Sequence, residues 1–136
     1  MYQQLTLRHL ERPQEKYIEK DIEWVCESLG LNAGRDIERM SPRIMSMFLK
    51  RFSVERAVPS EELAGDLVVT AARINHHVRN LVDSGLVYRE KKLIVLRGGS
   101  LRAAIEELKE DTERIFDRLL HIAQDVDQQL GLKNRT

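Results

Sequence analysis

The chain is short of the residues that most often announce a chemistry. Its 136 residues include one cysteine, one tryptophan and three prolines, and aromatic side chains make up 5%. The lone Cys26 closes no intrachain disulfide, and the N-terminal MYQQLTLRHLERP has no apolar h-region. Together these point to a cytoplasmic protein rather than a secreted one. So few aromatics leave little surface on which the bases of a single strand could stack. No apolar run approaches the roughly 18 to 20 residues that a membrane helix needs, so no membrane partner is expected. Gly98-Gly99 stands without the further spacing of a phosphate-cradling loop, and no nucleophile–base set or paired acid motif emerges. The expectation is a protein that is not an enzyme and holds no cofactor or metal.

What is present is charge and periodicity. Charged residues are 32% of the chain and hydrophobic ones 42%, the balance of a helix-rich globular domain long enough to bury a core. A formal net charge of zero hides an asymmetry. Between residues 70 and 97, Arg73, Arg79, Arg89, Lys91, Lys92 and Arg97 outweigh Asp83 and Glu90, a local +4. Between 101 and 130 the balance is −4. Placed charge of this kind bears on partners rather than on fold.

Local signals divide the chain. Residues 13–29 read as a helix, with Pro13 in its first turn, Ile18, Ile22, Val25 and Leu29 at helical spacing, and Gly30 as its stop. LNAGRD reads as a loop, followed by a short helical turn up to Met40. Ser41-Pro42 reads as a new cap and first helical position, and Ile44, Met45, Phe48, Leu49 and Phe52 form the stripe that follows. Residues 56–59 read as extended, and Ser60 as the cap of a brief helix that turns Leu63, Ala64 and Leu67 inward. Thr70 caps a helix to about Asp83, with Ile74, Val78 and Leu81 inward, His77 beside them and Gly85 ending it. LVYRE and KLIVLR read as a hairpin turning at Glu90-Lys91-Lys92. After Gly98-Gly99, Ser100 caps a helix reaching about Leu130.

That last helix carries a heptad seam. Ile105, Thr112, Leu119 and Val126 recur every seven residues, interleaved with Leu101, Leu108, Ile115, Ile122 and Gln129, and Phe116, Ala123 and Leu130 widen the stripe. A helix of ~30 residues spans ~45 Å, longer than a small domain is wide. Its seam calls for a partner, and a second copy is the simplest one. The expected dimerisation residues are Ile105, Leu108, Ile115, Leu119, Ile122 and Val126.

The order of elements is that of a winged helix-turn-helix, α+β and mostly α, with an N-terminal helix and a long C-terminal dimerisation helix. Residues 1–40 would hold the N-terminal helix and loop, 41–99 the DNA-binding unit, and 100–136 the dimerisation helix and tail. LAGDLVVTAARINHHVRNLVDSGLV resembles the helix-turn-helix of ArsR-type and MarR-type prokaryotic repressors, through Thr70, Ile74, His76, His77, Val78, Leu81, Gly85, Leu86 and Val87. The resemblance implies a homodimeric regulator of transcription that binds double-stranded DNA. It leaves room for a small-molecule effector. Metal-sensing ArsR relatives use a cysteine-rich site before the recognition helix, which is absent here, or an Asp/His/Glu set on the C-terminal helix. For the latter only Asp117, His121 and Asp125 share a face, a poor set for a borderline metal and more simply a solvated surface.

Helical phase assigns the faces of residues 71–83. With Ile74, Val78 and Leu81 inward, Ala72, His76, Arg79, Asn80 and Asp83 point out, and Arg73 and Asn75 lie on the flanks. Arg can read guanine, Asn adenine, and an alanine methyl can touch thymine. The expected DNA contacts are therefore Thr70, Ala72, Arg73, Asn75, His76 and Arg79 on the helix, with Arg89, Lys91 and Lys92 on the wing. The plainer reading of the helix alone is an amphipathic helix with a polar outer face; the basic hairpin after it favours DNA. His76 and His77 diverge by ~100° and cannot both face one ion, so His77 is expected to pack and His76 to stay outward. Arg43, Lys50 and Arg51 read as solvated surface before phosphate contacts, and Met40, Met45 and Met47 as core before effector pocket. Trp24 and Cys26 read as buried. The alternative to a DNA-binding regulator is a winged-helix interaction module that uses its long helix on another protein and its wing on nothing.

Overall fold

A computed structural model of the chain describes residues 3–31 and 40–135. The loop at 32–36 and the helical turn expected up to Met40 lie outside the described residues. Among those described, the order is α1 (Ile18–Ser28), α2 (Met40–Glu55), β1 (Val58–Pro59), α3 (Ser60–Leu67), α4 (Ala71–Ser84), β2 (Val87–Glu90), β3 (Leu93–Leu96), a single 3-10 turn (Arg97–Gly99) and α5 (Leu101–Leu130). The protein is mostly helical, with one small antiparallel sheet in the order β1-β3-β2.

Capping explains where the later helices begin. The Thr70 hydroxyl oxygen accepts the Arg73 amide and the Ser100 hydroxyl oxygen accepts the Ala103 amide, each taking one of the orphan donors of a first turn. Gly85 ends α4 at φ 91°, a left-handed conformation that glycine adopts without strain. The chain can therefore reverse into β2, and β2 pairs with β3 from Val87↔Leu96 to Glu90↔Leu93. β1 joins the other side of β3 through Val58↔Ile94 and Pro59↔Leu93. Proline, lacking an amide proton, is tolerated on such an edge. This two-residue strand is too short to show in the sequence as more than an extended piece.

Three boundaries differ from the sequence reading. α1 starts at Ile18, so Pro13 lies outside the helix. The N-terminal segment runs extended instead, held by Gln4 N–H on the Asp83 carbonyl at 3.0 Å and Arg8 N–H on the Ser28 carbonyl at 2.8 Å. Trp24, half-buried, donates its indole N–H to the Leu10 carbonyl at 3.4 Å. Ser60 is the first residue of α3 rather than its cap, because Pro59 occupies the boundary in an extended conformation and Ser60 N–H is bonded to the Lys92 carbonyl at 3.2 Å. Ser41 lies inside α2, and its hydroxyl donates to the Leu31 carbonyl at 3.0 Å.

One core joins all segments. Ile22 and Cys26 of α1, Met40, Met45 and Phe48 of α2, Leu63, Ile74, Val78, Leu86, Ile94 and Leu96, and Ala104 and Leu108 of α5 belong to a single buried cluster. The methionines Met40 and Met45 are spent there, at 0% and 1% exposure. Arg51 fixes α2 to α3: its guanidinium donates to Glu62 at 2.6 Å and to Asp66 at 2.9 Å, and reaches Glu55 at 3.4 Å. The hydrogen bond from Arg51 holds the Asp66 carboxyl below its usual range. Arg51 is thus a clasp between helices, engaged by acids rather than simply solvated.

A second clasp seats α5. Asp111, buried, accepts both terminal nitrogens of Arg97 in a fork, with Arg97 Nη2 at 3.0 Å, and takes Gln3 Nε2 at 2.8 Å and Arg114 Nη2. Gln3 Nε2 also lies 2.8 Å from the Ser84 carbonyl. One carboxylate therefore ties the N-terminal segment, the end of α4 and the foot of the hairpin to α5. The Arg97 hydrogen bonds pull the Asp111 carboxyl below its ordinary value, with help from Gln3.

Candidate nucleic-acid interface

The outward face of α4 follows from its inward one. Ile74, Val78 and Leu81 are 0%, 0% and 2% exposed, which fixes the helical phase. Thr70, Ala72, Arg73, Asn75, His76, Arg79 and Asn80 are all exposed. Thr70 doubles as the cap, so its hydroxyl oxygen is engaged by the Arg73 amide at 3.2 Å.

The histidine pair divides as its spacing requires. His76 is exposed and His77 half-buried, with ring centroids 5.4 Å apart and edge to face. His77 Nδ1 lies 3.3 Å from Ser41 Oγ. Since that hydroxyl donates to Leu31, the contact is best met by His77 carrying its proton on Nδ1. His77 therefore links α4 to α2. No group of three or more metal-ligating side chains is assembled among the described residues.

The hairpin stands next to this face. Arg89, half-buried on β2, donates Nη2 to Asn75 Oδ1 at 2.7 Å, a bond that bridges strand and helix and that sequence spacing does not reveal. Lys91 and Lys92 form the exposed two-residue tip. Lys91 has φ 59°, left-handed backbone that glycine or asparagine would enter more easily. Val68, in the turn between α3 and α4, is strained in the same way at φ 54° and is 89% exposed. Arg97, counted with the basic stretch by sequence, is committed to Asp111 and takes no part in this surface. The cationic set here is Arg73, Arg79, Arg89, Lys91 and Lys92, with Asp83 and Glu90 as the acids in the same stretch.

The seam on α5 is divided by burial. Leu108 is 4% exposed and packs in the chain's own core, so it is closed to a second copy. Ile105 is 36% exposed, at the margin, whereas Ile115, Leu119, Ile122 and Val126 are open at 40 to 59%. Leu108 stands among the expected dimerisation residues because a heptad repeat does not say where one chain's core stops and a partner's begins. No helix among the described residues is long and apolar enough to cross a membrane. No protein-family model, curated protein or solved structure matches the chain.

Proposed function

We propose that the chain is a winged-helix regulator of transcription that binds duplex DNA sequence-specifically as a homodimer, with α4 as the recognition helix and β2–β3 as the wing. The observation that carries this reading is the joining of the two basic elements into one face. The exposed side of α4 is bridged to strand β2, two residues before the lysine tip, by Asn75 and Arg89. An α-helix fits the major groove of B-DNA, where Arg and Asn pair with base edges, while lysines at a hairpin tip meet phosphate.

Selection of bound sequences from random duplexes, followed by salt titration of the winner and a scrambled control, tests it. Lys91→Ala with Lys92→Ala should weaken binding to both duplexes alike, flattening the slope of log affinity against log salt by roughly 0.9 per lost contact. Arg79→Ala should instead cost the selected site ~1–3 kcal/mol and the scrambled one much less. A wild-type protein that retains no duplex, or binds without salt dependence, overturns the proposal and leaves the interaction module in its place.

A further inference from the structure

We propose that two copies of α5 pair antiparallel, about a two-fold axis passing between Leu120 and His121, so that Arg118 of each copy meets the partner's Asp125. This rests on the reading of α5 as the self-association seam and adds its direction and register.

The free part of the helix sets the frame. Among the described residues, α5 is buried in its first turns, at Ala104, Leu108 and Asp111, and every described residue from Glu113 onward is exposed. The stretch of seam from half-buried Thr112 to exposed Gln129 is centred near residues 120–121. At its near end it forms one wall of a groove whose other wall is the N-terminal segment, with Leu5, Leu7, Thr112, Ile115, Phe116 and Leu119 among its lining.

Direction comes from the residues beside the seam. With Leu119 and Val126 at the first apolar position of the heptad and Ile115 and Ile122 at the second, Arg118 and Asp125 fall on one flank, Phe116 and Ala123 on the other. Neither charge is answered within the helix, where side chains three or four residues apart are neighbours. Arg118 has Arg114, Ile115, His121 and Ile122 at those positions, and Asp125 has His121, Ile122, Gln128 and Gln129. Elsewhere on α5 the corresponding pairs are made, as between Arg102 and Glu106 at 2.9 Å. A parallel pairing brings opposite flanks together and sets Arg118 against the partner's Ala123 and Asp125 against the partner's Leu130, leaving both charges unanswered. An antiparallel pairing brings like flanks together. One register then satisfies every layer: Leu119 faces the partner's Ile122, Ile115 the partner's Val126, and polar Thr112 the partner's polar Gln129. In that register Arg118 meets the partner's Asp125 twice by symmetry, and bulky Phe116 meets the partner's small Ala123. The partner's last turns come to lie at the groove beside the N-terminal segment.

The test is charge reversal followed by mixing, with the full chain and sedimentation at low salt. Arg118→Asp alone and Asp125→Arg alone should each weaken the homodimer about tenfold, through two lost ion pairs and two like-charge contacts. Mixed in equal amounts, the two variants should form a heterodimer close to wild type in affinity, because each reversed chain then answers the other. The two changes in one chain should likewise restore the homodimer. Residues 118 and 125 lie seven apart, ~10 Å along the helix, so recovery cannot arise within one chain. A wild-type dimer that Leu119→Glu dissociates, but whose reversal variants show no preference for each other, overturns the direction while leaving the seam. A wild type that stays monomeric at high concentration, or a dimer indifferent to Leu119→Glu, overturns the self-association reading itself.

Discussion

Replacing Asp111 by Ala tests whether the clasp at the foot of the hairpin holds α5 in place. The Asp111 side chain is 7% exposed and that of Arg97 28%. A hydrogen bond to a charged group contributes ~1.5–3 kcal/mol when water is excluded. Arg114, at 62% side-chain exposure, is too solvated to add to the sum. Arg97 retains partial access to water and to Glu107, 3.7 Å from its Nε, so its fork is discounted by about half; the Gln3 bond adds a smaller part. The total is ~2–3 kcal/mol. For a chain of this length that corresponds to a fall in Tm of roughly 6–12 °C, read by circular dichroism at fixed protein concentration. The loss should also depend on pH. The Asp111 carboxyl titrates lower in the folded protein than in the unfolded chain, where an aspartate has a pKa of about 3.9. Its contribution is present in full above that value and disappears as pH falls through the folded value. Wild type and variant should therefore differ equally at pH 5 and 7 and converge in acid, once pH has fallen below the lowered Asp111 value. A Tm within about 2 °C of wild type at neutral pH, or a gap that does not close in acid, would refute the clasp.

His77→Ala should lower stability by ~1–3 kcal/mol through loss of the Ser41 link and packing, while His76→Ala should leave the melting curve unchanged and weaken the selected duplex; equal thermal losses would place both rings in one environment. Val68→Gly and Lys91→Gly should each leave stability unchanged or raise it by up to ~1 kcal/mol by relieving left-handed backbone. Only Lys91→Gly should also reduce the salt slope of DNA binding, which titration of both variants would show.

The elements from Thr70 onward were legible because their cues are local. A hydroxyl cap at Thr70, the Gly85 reversal, two short β-leaning runs and the Ser100 cap each act within a few residues of themselves, and α4 and α5 end within a residue or two of the positions they imply. The N-terminal helix starts later than the sequence implies, because Pro13 and the spacing of Ile18, Ile22 and Val25 are compatible with an earlier start. What decides otherwise is bonding from residues 4 and 8 to carbonyls at 83 and 28, which no window of sequence contains. The candidate surface followed the same rule. Helical phase placed Arg73, Asn75, His76 and Arg79 outward, but periodicity is silent on which cations already have partners. Arg97 and Arg51 are claimed by acids on other elements, and Arg89 by Asn75.

The bond between Asn75 and Arg89 couples whatever the two residues contribute to the proposed duplex contact. In the free protein each side chain satisfies the other at 2.7 Å. On the proposed duplex, an adenine amino group would share Asn75 Oδ1 with Arg89 Nη2, while the other guanidinium donors of Arg89 stay available to phosphate. Removing one member therefore does two things at once: it deletes that side chain's own contacts and frees the group of the other that it had engaged. Under the proposed reading, Asn75→Ala would loosen base discrimination while freeing one Arg89 donor, so the loss of reading would be partly offset by firmer general adhesion. For two groups so coupled, single substitutions describe the remaining partner as much as the missing one, and only the four-cornered comparison of wild type, both singles and the double isolates what the pair contributes.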